Sequence, residues 1–171
     1  MAETSAANAD SQPQAAPEGG ITAQFAIEKI YVKDLSLENP GAPQSFQMAE
    51  APQVEIGLRT RAEAVGADTY ECVLTLTVTA KSGDKTVFLV EAAQSGVFSI
   101  RGVPQQQLQP VLAIHCPAVL FPYARETIAD ATMRAGFPPV HLAPINFEAL
   151  YQQQLAQGAG APAAAAPAAA N

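Results

Sequence analysis

Along residues 21–100 apolar positions recur every second residue, the spacing of strands with two distinct faces, and beyond residue 116 they recur every third or fourth. Ile21, Ala23, Phe25 and Ile27 share one phase, which then slips to Ile30 and Val32. The slip predicts a strand with a bulge near Glu28 and Lys29, continuing to Leu35 and Leu37 with Asp34 and Glu38 exposed. The strand ends at NPGAP (39–43), and a crossing loop carries Phe46 and Met48. Val54, Ile56 and Leu58 oppose Glu55, Gly57, Arg59 and Arg61 in a second strand with one wet face. After a turn at 64–69, Tyr70, Cys72, Leu74, Leu76 and Val78 alternate with residues rich in Thr, the mark of a long, central third strand. SGDK (82–85) predicts a hairpin turn into a fourth strand over 86–100. That strand is apolar on both faces and interrupted by Glu91, which implies either a second sheet from another subunit or an apolar surface held for a partner. A four-stranded antiparallel sheet is the simplest arrangement.

Leu120, Ala124, Ile128, Ala131 and Ala135 lie on one face of a helix expected from Val119 to Ala135. Pro122 would fall in its first turn, and Gly136 stands where a helix ends in the left-handed conformation. So many small residues permit close approach of a sheet and of a neighbouring helix. Pro110 predicts that residues 104–116 form only a short or broken helical lead. Residues 138–146 read as extended, and Asn146 caps a last helix whose stripe is Phe147, Leu150, Tyr151 and Leu155. The fold class is therefore α+β: a four-stranded antiparallel sheet with a long helix and a shorter C-terminal helix.

Composition trims this picture at both ends. Residues 1–20 and 158–171 contain almost no large apolar side chain, so they read as a disordered N-terminal tail and a disordered Ala/Pro-rich tail around one domain at 21–157. Of the net charge of −7, residues 21–157 hold 13 acids against nine bases, or −4, a balance unfavourable to a nucleic-acid backbone and mildly favourable to a basic protein partner. Only 15% of the chain is charged, which predicts apolar surface buried between subunits or used for binding. No basic leader precedes an apolar run and no stretch approaches a membrane span, so a soluble cytoplasmic protein without direct membrane insertion is expected. Cys72 and Cys116 lie outside any CxxC pattern and read as free thiols.

Catalytic chemistry is hard to assemble from these residues. His115 and His141 are separated by the expected helix and lack an acid at ligand spacing, so neither a metal site nor a cofactor is expected. Cys116 follows His115 directly, yet no positioning acid accompanies it, and a buried thiol is the simpler reading. Glu91 reads either as a carboxylate of raised pKa or as a strand residue facing solvent or a partner, the second being preferred. Nucleotide, hydrolase and zinc-protease motifs are missing from the chain. A binder rather than an enzyme is expected.

Four segments, IYVKDLSLENPGAP (30–43), GVFSIRG (96–102), CPAVLFPYARETI (116–128) and FPPVHLAPINFEALY (137–151), resemble the SecB family of protein-export chaperones in order and spacing. The resemblance covers almost all of residues 21–157. It implies a homotetramer built as a dimer of dimers, which holds unfolded precursor proteins in the bacterial cytoplasm and delivers them to the SecA ATPase without ATP or metal of its own. By that resemblance Asp34, Glu38, Leu89 and Glu91 belong to an acidic outer sheet that contacts SecA. Phe46, Val54, Ile56, Leu58, Phe147, Leu150 and Tyr151 map onto an apolar client groove, with ordinary core packing as the alternative for each. Many relatives carry a tryptophan in the loop after the first strand, where this chain has Ala49, Glu50 and Ala51. Two other readings stay open: a SecB-like holdase for non-export clients such as an antitoxin, and a small-ligand α+β enzyme using Glu91 or His115 as base.

Overall fold

The computed structural model describes residues 22–48 and 50–157. The expected tails at 1–20 and 158–171, and Ala49 of the loop, lie outside the described residues. Four antiparallel strands, β1 (Gln24–Glu38), β2 (Gln53–Ala64), β3 (Thr69–Ser82) and β4 (Lys85–Arg101), form one sheet in the order β1-β4-β3-β2. The central position read for β3 is borne out, and β4 shares it. Gly83, at φ 56°, supplies the left-handed residue of the tight β3–β4 turn. β1 slips register between Ile27 and Lys29, as its apolar phase predicts, and a second time between Val32 and Asp34.

One parity of each strand faces a layer of helix. Leu74, Leu76, Val78, Val90, Ala92 and Phe98 are fully buried on that side. Residues of the other parity, among them Thr77, Glu91 and Ala93, form an outer face. Helix α2 (Cys116–Arg134) lies across β3 and β4 through the small-residue stripe read from the sequence, with Leu120, Ala124 and Ile128 wholly buried and Ala131 nearly so. Each fully buried Leu or Ile contributes about 1.5–3 kcal/mol of transfer free energy. Approach is close because β4 has Gly96 beneath the helix: a Cβ there would stand 2.9 Å from Leu120 Cδ2 and 2.8 Å from the Phe98 ring.

The helix starts earlier than its periodicity indicated. α1 (Gln105–Pro110), a π segment (Val111–His115) and α2 run on continuously from 105 to 134. The expected start at Val119 and the broken lead are thus corrected, and Pro122 sits inside the helix rather than in its first turn. Prolines remove amide donors at 110, 117 and 122, and the chain widens one turn instead of breaking: the Cys116 N–H donates to the carbonyl of Val111, five residues back. Packing of the half-buried Leu108 and Val111 against the core holds this turn in place. At the far end Gly136 takes φ 89°, and the Gly136 and Phe137 amides donate to the Met133 and Thr132 carbonyls, closing the helix with a Schellman motif.

Residues 138–146 carry no helix, and Asn146 Oδ1 accepts from the Ala149 amide at 2.9 Å to cap α3 (Phe147–Ala156). Phe147 is buried against Phe121, the rings meeting edge-on at 5.9 Å. Leu155 departs from the expected stripe and is exposed, because α3 docks by its first turns and its end projects past the core. No helix among the described residues is long and apolar enough to cross a membrane.

The Gly96 contact gives a direct check on this packing. Gly96→Ala is expected to destabilise the fold by about 1–3 kcal/mol through overpacking. Denaturant unfolding at fixed protein concentration measures it, and an unchanged midpoint would mean that helix and sheet are less tightly apposed than described.

Candidate functional site

Strand register gathers the four residues assigned to the outer sheet. Glu38 lies opposite Leu89, Ser36 opposite Glu91, and Asp34 opposite Ala93. Since directly paired residues share a face and alternate residues repeat it, Asp34, Glu38, Leu89 and Glu91 form one strip across β1 and β4, on the side away from the helices. Asp34 and Glu38 are exposed, while Leu89 and Glu91 are half-buried. Glu91 Oε2 accepts from Thr77 Oγ1 at 2.8 Å, which fixes the carboxylate on the sheet surface. None of the three acids has a basic partner within ion-pair distance among the described residues. The strip is thus unneutralised negative charge around one aliphatic side chain, suited to a basic surface with an apolar element.

Beside it lies a charged cluster that periodicity did not single out. Glu71 of β3, 6% exposed, accepts from Lys33 Nζ at 2.7 and 2.6 Å through its two oxygens and also from the Tyr31 hydroxyl. Lys33 is the extra residue at the second β1 bulge. Hydrogen bonds from Lys33 and then Tyr31 hold the Glu71 carboxyl below its ordinary value of 4.5, against a smaller opposing effect of burial. Tyr31 is held above its ordinary 10.0, first because its hydroxyl donates to Glu71.

On the helix side, Val54, Ile56 and Leu58 stand opposite Ala80, Val78 and Leu76. They join Phe147 and Leu150 of α3 in one apolar cluster. Within it Ile56 and Phe147 are buried, whereas Val54, Leu58 and Leu150 remain half-open. Tyr151 is half-buried on the next position of α3. Phe46 stands apart from this group: its ring lies 5.3 Å from Phe137, which in turn lies 4.7 Å from Phe88. Phe46, Met48, Glu50, Ala51 and Phe137 line a cavity of about 330 Å³. Glu50 and Ala51 thus border an open hollow next to Phe46.

A further apolar surface runs along the edge strand β1. Phe25, Ile27, Val32, Leu35 and Leu37 point to the helix side, beyond the reach of α2, and are 40–49% exposed. Next to Phe25 a cavity of about 580 Å³ opens between the sheet and the helix, lined by Ile100, Val103, Val111, His115 and Val119. Each apolar position was visible in the sequence, but only the placement of α2 over β3 and β4 leaves them uncovered. His141 stands exposed on the segment leading to α3. Cys72 and Cys116 are both buried free thiols, and contact with Cys72, then burial, pushes the Cys116 thiol up, away from nucleophilic use.

This fold is that of SecB-like chaperones. The structure aligns with the Mycobacterium tuberculosis Rv1957 SecB-like chaperone, solved in complex with a ChAD peptide from the Rv1956 HigA1 antitoxin, at a TM-score of 0.60 and 17% identity, over 71% of this chain and 90% of that one. Residues 18–158 match the family described as preprotein translocase subunit SecB. Among similar proteins, the protein-export protein SecB of Dechloromonas aromatica is 59% identical over 81% of this chain and 91% of its own. That of Methylobacillus flagellatus is 55% identical over 90% of this chain and 92% of its own. The chain belongs to the SecB family of protein-export chaperones.

The Glu71 cluster carries a pH signature whose sign follows from the depressed carboxyl. Its stabilising effect is complete above the unfolded value of 4.5 and is lost as pH falls through the lower folded value. The stability difference between wild type and Glu71→Gln is therefore expected to be largest near neutral pH and to shrink below 4.5. Urea midpoints measured from pH 7 downward check this, and a gap independent of pH would refute it.

Proposed function

We propose that the protein is an ATP-independent cytoplasmic chaperone that keeps precursor polypeptides unfolded and passes them to SecA. The observation that carries this reading is the separation of two unlike surfaces: open apolar side chains on the helix side, and the unpaired acids Asp34, Glu38 and Glu91 on the outer face. Such a separation lets a client and a basic partner be bound at once. Phe46, Val54, Leu58, Leu150 and Tyr151 supply the accessible client contacts, with Ile56 and Phe147 supporting them from the core.

Hydrophobic contacts suit this task because they are non-directional and need no client sequence motif. A few client side chains, at about 1.5–3 kcal/mol each when fully buried, offset little more than the cost of ordering a chain. Several grooves on one assembly, engaged by one long polypeptide, raise avidity by linkage. Folding of the client hides the linked segments and releases it. The uncovered β1 stripe and the adjacent cavity support assembly into a homotetramer, a dimer of dimers, with β1 and the long helix at the contacts between copies. The acidic strip favours export over a holdase role confined to other clients.

Two measurements test the reading. The assembled wild-type protein, at stoichiometric concentration and without nucleotide, should suppress aggregation of a denatured precursor; undiminished aggregation would sink the chaperone role. Glu91→Lys is expected to weaken SecA binding about tenfold, ~1.4 kcal/mol, with aggregation suppression retained. Unchanged affinity would remove the outer strip from the SecA contact.

A further inference from the structure

Lys33 precedes Asp34 in the chain and is the base closest in sequence to the acidic strip. Left free on the surface, its ammonium could swing to Asp34 and cancel part of the strip's charge. Instead it is drawn the other way. Glu71 belongs to β3, two positions from β1 in the sheet, and lies opposite Val97, four residues along β4 from Ala93, the partner of Asp34. At 3.2–3.4 Å per residue this is about 13 Å along the strand. Both Glu71 oxygens engage Nζ, at 2.6 and 2.7 Å, and the Tyr31 hydroxyl occupies the same carboxylate. Such a bidentate contact on a carboxylate with little access to water outcompetes an exposed pairing with Asp34. Other bases of the outer face stand elsewhere: Lys81 is paired with Glu55, Arg61 with Glu63, Arg59 lies on the edge strand β2, and Lys29 lies beyond the bulge.

We propose that Glu71 is a positioning residue for partner docking: it withdraws the Lys33 charge from the acidic strip, so that Asp34, Glu38 and Glu91 meet a basic partner surface unneutralised. This rests on the export reading above. It assigns a role in docking to a residue too buried to touch the partner, acting through Lys33.

Calorimetric titration of SecA into four proteins, at low and at high salt, tests the idea: wild type, Glu71→Gln, Lys33→Gln and the double variant. Native mass and thermal unfolding are recorded for each. Glu71→Gln releases Lys33 and is expected to weaken binding roughly three- to tenfold at low ionic strength, with the loss shrinking in high salt. Lys33→Gln should bind as tightly as wild type or more tightly, and the double variant should recover wild-type affinity. A merely structural clamp gives another pattern, in which Lys33→Gln weakens binding as much as Glu71→Gln and the double variant is not rescued. That pattern, or an unchanged Glu71→Gln, overturns the proposal. If Glu71→Gln does not fold, Lys33→Gln decides alone, since weakened binding there refutes the charge-withdrawal role. A folded wild-type protein that does not bind SecA overturns the export reading itself, and the inference falls with it.

Discussion

The contact between α2 and the β3–β4 pair is the constraint on which the rest of the molecule depends. Leu120, Ala124 and Ile128 have no solvent exposure, and Gly96 leaves the room that Leu120 fills. Small residues on the helix and a glycine on the strand bring two rigid elements close enough for dense packing. Once the helix is seated, every strand residue is committed to one of two environments. The parity that meets α2 becomes core, and the other becomes an outer surface.

That commitment separates two kinds of surface. Apolar association is unspecific in direction and scales with area, whereas an ion pair depends on which neighbouring charges compete for it. Exposed acids stand on one face of the sheet and open apolar side chains on the other, so the two kinds of surface do not overlap. The edge strand β1 serves both sides. Its outward residues carry Asp34 and Glu38, its inward residues form the uncovered stripe from Phe25 to Leu37, and its two bulges set which residue goes where. The second bulge, at Lys33, moves a base off the regular alternation and within reach of Glu71.

Most of the scaffold was legible before any coordinates. The four strands, the slip at Glu28, the turn at Gly83, the stripe from Leu120 to Ala135, the left-handed Gly136 and the Asn146 cap all follow from spacing or from a single residue's conformational preference. The long helix extends further than its periodicity indicates, because prolines at 110, 117 and 122 are local breaking signals that a widened turn and core packing override. Periodicity puts Leu155 on the α3 stripe, yet the helix docks only through its first turns and leaves Leu155 exposed.

By itself the sequence determined the elements, their amphipathic faces and, through four matching segments, the family. These depend on neighbours within a few residues, or on a pattern inherited whole. The tertiary structure alone decided that Phe46 sits with Phe137 rather than with Val54, Ile56 and Leu58, that Ile56 and Phe147 are core, and that the β1 stripe lies uncovered. It alone brought Lys33 to Glu71, 38 positions away in the chain. Alternation assigns a residue to a face, but its companions on that face depend on strand order and register, which arise from long-range contacts that no local pattern records.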